Sequence, residues 1–176
     1  MKKIFLSSVI ALLAAGLFTQ CKKDDPTPED ENELITTAIL HFSDGTNEYS
    51  YTWDQDGASI RIDTIRLTAG TEYAMSIELK DNSETPVIDI TEEIEAEKND
   101  HQFFYISNPA NLLNFTYQDT DDNNLPIGLE MKVNTQAAAG AGSVRVILKH
   151  VPGVKNGQQS TGSTDMDISL PVLVRP

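Results

Sequence analysis

Two of the three histidines stand where the surrounding pattern aims them inward. Residues 89–100 read as a short helix. On it Ile90, Ile94, Glu97 and His101 recur at i, i+4, i+7 and i+11, a single stripe along one face. The two isoleucines need an apolar partner, so Glu97 and His101 are expected to point the same way, spaced for a shared metal ion or a hydrogen bond. His150 continues the alternation of Val144, Val146 and Leu148, which turns it inward at a strand end. Imidazole nitrogens and a carboxylate converging at one rim suit zinc or copper. The same residues also fit a self-satisfied Glu–His pair, with His150 bonded to a loop carbonyl. His41 falls on the face opposite Leu40 and Phe42 and reads as solvated.

A second constellation is oxygen-only. Asp119, Asp121, Asn123 and Glu130 match positions 1, 3, 5 and 12 of the helix-flanked calcium loop, whose hard ligands suit calcium. Asn124 stands at the turn-glycine position and can reach the left-handed region. Strands rather than helices flank the segment, and Pro126 takes a position that is usually apolar. An acidic loop between two strands accounts for the residues equally well.

Other chemistry has little support. The chain lacks the nucleophile-elbow, zincin and phosphate-loop patterns, and carboxylate pairs are too common in so acidic a sequence to single out two, so a non-enzymatic protein is expected. The formal charge is −14. Such a surface repels phosphate backbones, which argues against nucleic-acid binding. Trp53 and the tyrosines could stack on a glycan, but they alternate as a core face does.

Cys21, the single cysteine, follows a basic start (Lys2, Lys3) and an apolar run over residues 4–18 that is too short to span a bilayer as a stop-transfer helix. Leu17-Phe18-Thr19-Gln20-Cys21 resembles a bacterial lipobox. The resemblance implies a signal peptide over 1–20, acylation of Cys21 and membrane attachment through several acyl chains, which satisfies the need for more than one chain. An acylated Cys21 leaves no thiol for disulfides, metal ligation or nucleophilic attack. Residues 22–33 hold two prolines, a run of carboxylates and no apolar side chain, the composition of a disordered acidic tether. Lys23-Asp24-Asp25 behind the cysteine resembles the acidic export signal of Bacteroidota surface lipoproteins, which implies an outer-membrane anchor facing the cell surface; a periplasm-facing anchor is the alternative.

From residue 34 to 176 the apolar period is two almost throughout. Tyr73, Met75, Ile77 and Leu79 form one face, and Met166, Ile168, Leu170, Val172 and Val174 another. Leu129, Met131 and Val133, then Leu113, Phe115 and Tyr117, repeat the pattern. One-sided strands need a partner face, so the expected fold is a single all-β domain, an immunoglobulin-like antiparallel β-sandwich with one short helix. Pro171 suggests that the last strand lies at an edge.

Several stretches resemble an uncharacterised family of Bacteroidota lipoproteins: Asp89-Ile-Thr-Glu-Glu-Ile94, Asp100-His101-Gln102-Phe103-Phe104-Tyr105, Pro126-Ile127-Gly128-Leu129, Leu148-Lys149-His150, and Gly162-x-Thr164-Asp165. The match covers essentially the whole domain after the tether. Members often carry the label "type 1 periplasmic-binding fold", a bilobed architecture that the strand pattern contradicts. The family brings no catalytic residues, and its relatives usually have Gly at the position of Asn124. Small surface lipoproteins of this phylum often work beside TonB-dependent receptors, so the resemblance implies such a partner and a metal, haem or glycan ligand. A structural or adhesive module without a metal site is the alternative expectation.

Overall fold

A computed structural model describes residues 33–176. The expected signal peptide, Cys21 and all of the expected tether except Glu33 lie outside the described residues. Two sheets face each other. Sheet A has the order β3-β2-β1-β5-β9-β8, with the short β6 also on β5; sheet B has the order β4-β11-β10-β7. The strands are β1 (Thr37–Ser43), β2 (Glu48–Asp56), β3 (Ser59–Ile62), β4 (Ile65–Thr68), β5 (Glu72–Asp81), β6 (Ile88–Asp89), β7 (His101–Asn108), β8 (Leu113–Tyr117), β9 (Glu130–Thr135), β10 (Gly140–His150) and β11 (Ser163–Arg175); α1 spans Ile90–Ala96. All pairs are antiparallel except β4 with β11. This is the expected β-sandwich with one short helix. The strand pattern missed β3, β4 and β7, because β3 has no buried face, β4 is only four residues long, and β7 opens with His-Gln rather than an apolar pair.

The alternating residues behave as the period requires. Leu40, Leu79, Phe103, Val133, Val146 and Leu170 are all fully buried between the sheets. Trp53 and Tyr73 belong to the same core. The helix is seated by its own first turn: the Asp89 side chain accepts from Thr91 N, and Ile90 and Ile94 are the residues it buries. Thr91 then bonds back to β5 through Leu79 N and Leu79 O. Pro171 is not on a simple edge strand. It pairs with Ser143 of β10 and falls just before the four residues of β11 that β4 flanks. At Pro171 itself β11 has β10 on one side and no strand on the other, which is where a residue without an N–H is tolerated.

Candidate metal centre

Pairing register brings the two inward histidines together. β7 and β10 run antiparallel with His101 opposite His150. Strand alternation places His101 on the face of Phe103, and His150 on the face of Leu148. The imidazole rings stack with centroids 4.6 Å apart and planes 6° from parallel. His101 is fully buried and His150 partly so.

Two further carboxylates stand at the pair: Glu33 groups its donor atom with those of both imidazoles, and Asp165 lies beside His101 outside that three-residue group. Strict alternation along β11 would send Asp165 outward, opposite Met166. Instead the pairing steps from Leu148–Met166 to Lys149–Thr164, leaving Asp165 as the extra residue of a bulge. A bulge bends its strand and re-aims a side chain. The Asp165 carboxylate is fully buried, with Oδ2 3.9 Å from His101 Nε2. Glu33, read from composition as the end of the tether, places Oε1 3.1 Å from His101 Nε2 with its side chain only 6% exposed. Glu33 therefore belongs to the folded body rather than to the tether.

Glu97 contributes through its main chain. The helix ends at Ala96, and Glu97 is the C-cap residue at φ −101°, ψ 29°, so the stripe is broken before it reaches His101. The Glu97 carboxylate is half exposed and 3.9 Å from His101 Nδ1. Its carbonyl oxygen is 3.2 Å from that nitrogen and accepts its hydrogen. This bond fixes which ring nitrogen faces inward. Nε2 is left towards Glu33 and Asp165, either protonated and donating to Glu33 or offering a lone pair.

Donor atoms of Glu33, His101 and His150 all lie within 4.8 Å of one another. Glu33 Oε2, His150 Nδ1 and both Asp165 oxygens are buried without a hydrogen-bond partner. A buried polar atom left unpaired costs about 1–3 kcal/mol, more if charged, so four of them in one place mark a site suited to a cation. Two neutral imidazoles and two carboxylates carry a charge of about −2, which a divalent ion balances.

Burial, then the neighbouring Glu33 charge, pushes the Asp165 carboxyl up to about 6. Burial works against a charge on His101, but the hydrogen bond and charge of Glu33 outweigh it and raise the imidazole above its ordinary value. For Glu33 burial is likewise the largest single influence, and it is outweighed only by the His101 hydrogen bond, a backbone hydrogen bond and the charges of His101 and His150 acting together, which lower this carboxyl. A raised Asp165 stabilises the fold fully below about 4, its unfolded value, and this stability is lost as pH rises to about 6. The raised His101 keeps its contribution below about 6.5 and loses it above. The metal-free protein is therefore expected to lose stability between pH 5 and pH 8 in chelator, read as the urea midpoint. Asp165→Asn removes the part of the loss that falls below about pH 6.

The oxygen-only loop is organised differently from a calcium site. Asp119 accepts from the amides of Gly128, Leu129 and Glu130 at 2.8, 2.7 and 3.0 Å. Asp121 Oδ1 accepts from Asn123 and Leu125, and Asp121 Oδ2 is 3.0 Å from the buried Lys155 ammonium. Asn124 sits at φ 63°, the left-handed conformation expected of it. Glu130 is exposed. Among the described residues the carboxylates of Asp119, Asp121 and Glu130 are not grouped as a shared cation site; the two aspartates accept from backbone amides and meet a lysine. The loop is tied to the turn after α1, where Asp122 meets Lys98 and Asn99. His41 bonds Ser50 and Glu78 on the outer face of sheet A, away from the cluster.

Asp165, like Glu33, carries no mark in the periodicity of its own segment. Its signal was the Gly162-x-Thr164-Asp165 stretch. Gly162, at φ 75°, lies so close to the end of β10 that a Cβ there would sit 2.1 Å from His150 O. The glycine lets the start of β11 approach His150. Comparison with protein-family models finds no match to this chain, and comparison with curated proteins finds none either.

Proposed function

We propose that the chain is a non-enzymatic lipoprotein, anchored to the outer membrane through acylated Cys21 and facing the cell surface, that holds a divalent transition-metal ion for a TonB-dependent uptake receptor. The observation that supports the metal reading is the buried group of Glu33, His101 and His150 donors with orphaned lone pairs. Nitrogen and oxygen donors without a thiolate fit zinc first and copper second. The anchor rests on the residues around Cys21 alone. Among the described residues, no helix is long and apolar enough to cross a membrane.

The test is calorimetric titration of the chelator-stripped full chain in detergent with zinc, copper and calcium. Tight zinc or copper binding is expected, with little heat from calcium. Glu97→Ala keeps the carbonyl that orients His101 and is expected to leave zinc affinity within about threefold, since an outer-shell loss begins near tenfold. A larger loss would return the Glu97 carboxylate to the ligand set. For the anchor, labelled palmitate is expected on the wild type and absent from Cys21→Ser.

A structural or adhesive module is the second reading. It is favoured by one observation: the Glu33–His101 ion pair and the stacked rings close part of the cluster without an ion. It predicts no zinc or copper heat. A glycan-binding role has less to stand on, because Trp53 is 9% exposed and Tyr49, Tyr51, Tyr105 and Tyr117 pack against the core.

A further inference from the structure

We propose that Asp165 is the fourth ligand of this centre, making it a closed two-histidine, two-carboxylate zinc site that joins the start of the folded chain to β7, β10 and β11. The inference rests on the metal reading above and specifies its ligand set. Three observations carry it. The Asp165 carboxylate is fully buried, both of its oxygens lack a hydrogen-bond partner, and a bulge in β11 turns it towards His101 against the alternation of the strand. Its neighbours are the His101 imidazole at 3.9 Å and the Glu33 carboxyl; among the described residues no lysine, arginine or backbone amide donates to it, in contrast to Asp119 and Asp121, whose oxygens meet amides and a lysine.

Charge and count point the same way. Glu33 alone would leave a divalent ion with a net positive charge in a buried setting and Asp165 as a separate buried acid. Both carboxylates together neutralise it. Four protein donors with no open position are the arrangement of held zinc rather than of hydrolytic zinc, which keeps a coordination place for water.

The geometry also says what must move. Zinc bonds of about 2 Å bring tetrahedral donors to about 3.3 Å from one another, closer than the 4.8 Å limit within which the Glu33, His101 and His150 atoms lie. Two rings that are nearly parallel cannot both point a lone pair in plane at one ion. His101 is held by the Glu97 carbonyl, whereas His150 Nδ1 has no partner. His150 is the ring that turns, and the stack opens when the ion enters.

The experiment is a cobalt titration of the full chain in detergent, followed by zinc competition, on the wild type, Asp165→Asn and Asp165→Ala. The wild type should give the intense visible bands of four-coordinate cobalt. Both variants should lose that intensity, and their zinc affinity should fall by more than about a hundredfold, beyond what an outer-shell partner accounts for. Unchanged spectra with zinc affinity within threefold would leave the metal site standing and overturn the role of Asp165. No binding by the wild type would overturn the metal reading itself, and this inference with it. Should the variants fail to fold, the anomalous map of a zinc-soaked wild-type crystal decides. A peak within about 2.2 Å of an Asp165 oxygen upholds the ligand, and a peak bonded to Glu33 and both imidazoles but not to Asp165 overturns it.

Discussion

Zinc added to the chelator-stripped protein is expected to raise its thermal midpoint by about 8–16 °C, and His150→Ala to abolish the rise. An ion bound only by the folded state stabilises it by about 4 kcal/mol when present at a thousand times its dissociation constant. For a domain of this size each kcal/mol moves the midpoint by about 2–4 °C. His150 is the informative variant because its Nδ1 has no partner in the cluster. Removing the ring takes away a metal donor while leaving the Glu33–His101 pair in place, so the metal-free midpoint should move little. His101→Ala should behave differently. It strips Glu33 of its buried partner and leaves two acids facing each other, a disruption of the kind that costs about 3–5 kcal/mol, and it should destabilise the protein with or without zinc. A purely structural cluster predicts another pattern: no midpoint shift with zinc in any variant, and a loss with His101→Ala alone. Differential scanning measurements in chelator and in excess zinc separate the two.

What could be read from the sequence followed from periodicity, and what could not followed from breaks in it. The inward aim of His150 was legible because it shares the face of Val144, Val146 and Leu148 along β10, although Ile147 and Lys149 on the other face are buried too, and the same rule applied to β7 would have given His101 its partner by register. The sandwich was legible for the same reason. The i, i+4 spacing does bring the Glu97 carboxylate to 3.9 Å from His101 Nδ1, but the helix ends at Ala96, and the closer contact, the carbonyl of a C-cap residue, leaves no trace in a side-chain pattern. Asp165 was hidden because a one-residue bulge inverts alternation locally, and only pairing across strands reveals it. Glu33 was hidden by its company: a carboxylate at the end of an acidic, proline-containing stretch is indistinguishable by composition from its solvated neighbours. Both carboxylates of the centre therefore depended on tertiary placement, while both histidines were set by local strand geometry.

Asp119→Ala is expected to destabilise the protein by about 3 kcal/mol, roughly 6–12 °C in midpoint, and calcium should neither restore the loss nor stabilise the wild type. The carboxylate accepts three backbone amides in succession, those of Gly128, Leu129 and Glu130. Such a run of N–H groups is a concave anion site built from main chain, here filled from within the same loop. A hydrogen bond to a charged acceptor contributes about 1.5–3 kcal/mol; three that share one carboxylate do not add in full, and water reaches part of the vacated site. The held segment matters beyond the loop. Ile127 O accepts from Phe103 N at 2.7 Å, Gly128 O accepts from the Tyr105 hydroxyl at 2.7 Å, and the Tyr117 hydroxyl donates to Phe103 O at 2.7 Å. These bonds fasten the loop to the strand that begins with His101. Asp119→Asn should lose about half as much, since one carbonyl oxygen remains to accept while the new NH2 group faces donors. Glu130→Ala, at an exposed position that keeps its backbone amide, should change stability by less than about 0.5 kcal/mol. Equal calcium-dependent stabilisation lost in both Asp119→Ala and Glu130→Ala would instead make the loop a cation site. The expected outcome makes it a carboxylate-filled nest, whose acidic residues act on their own main chain.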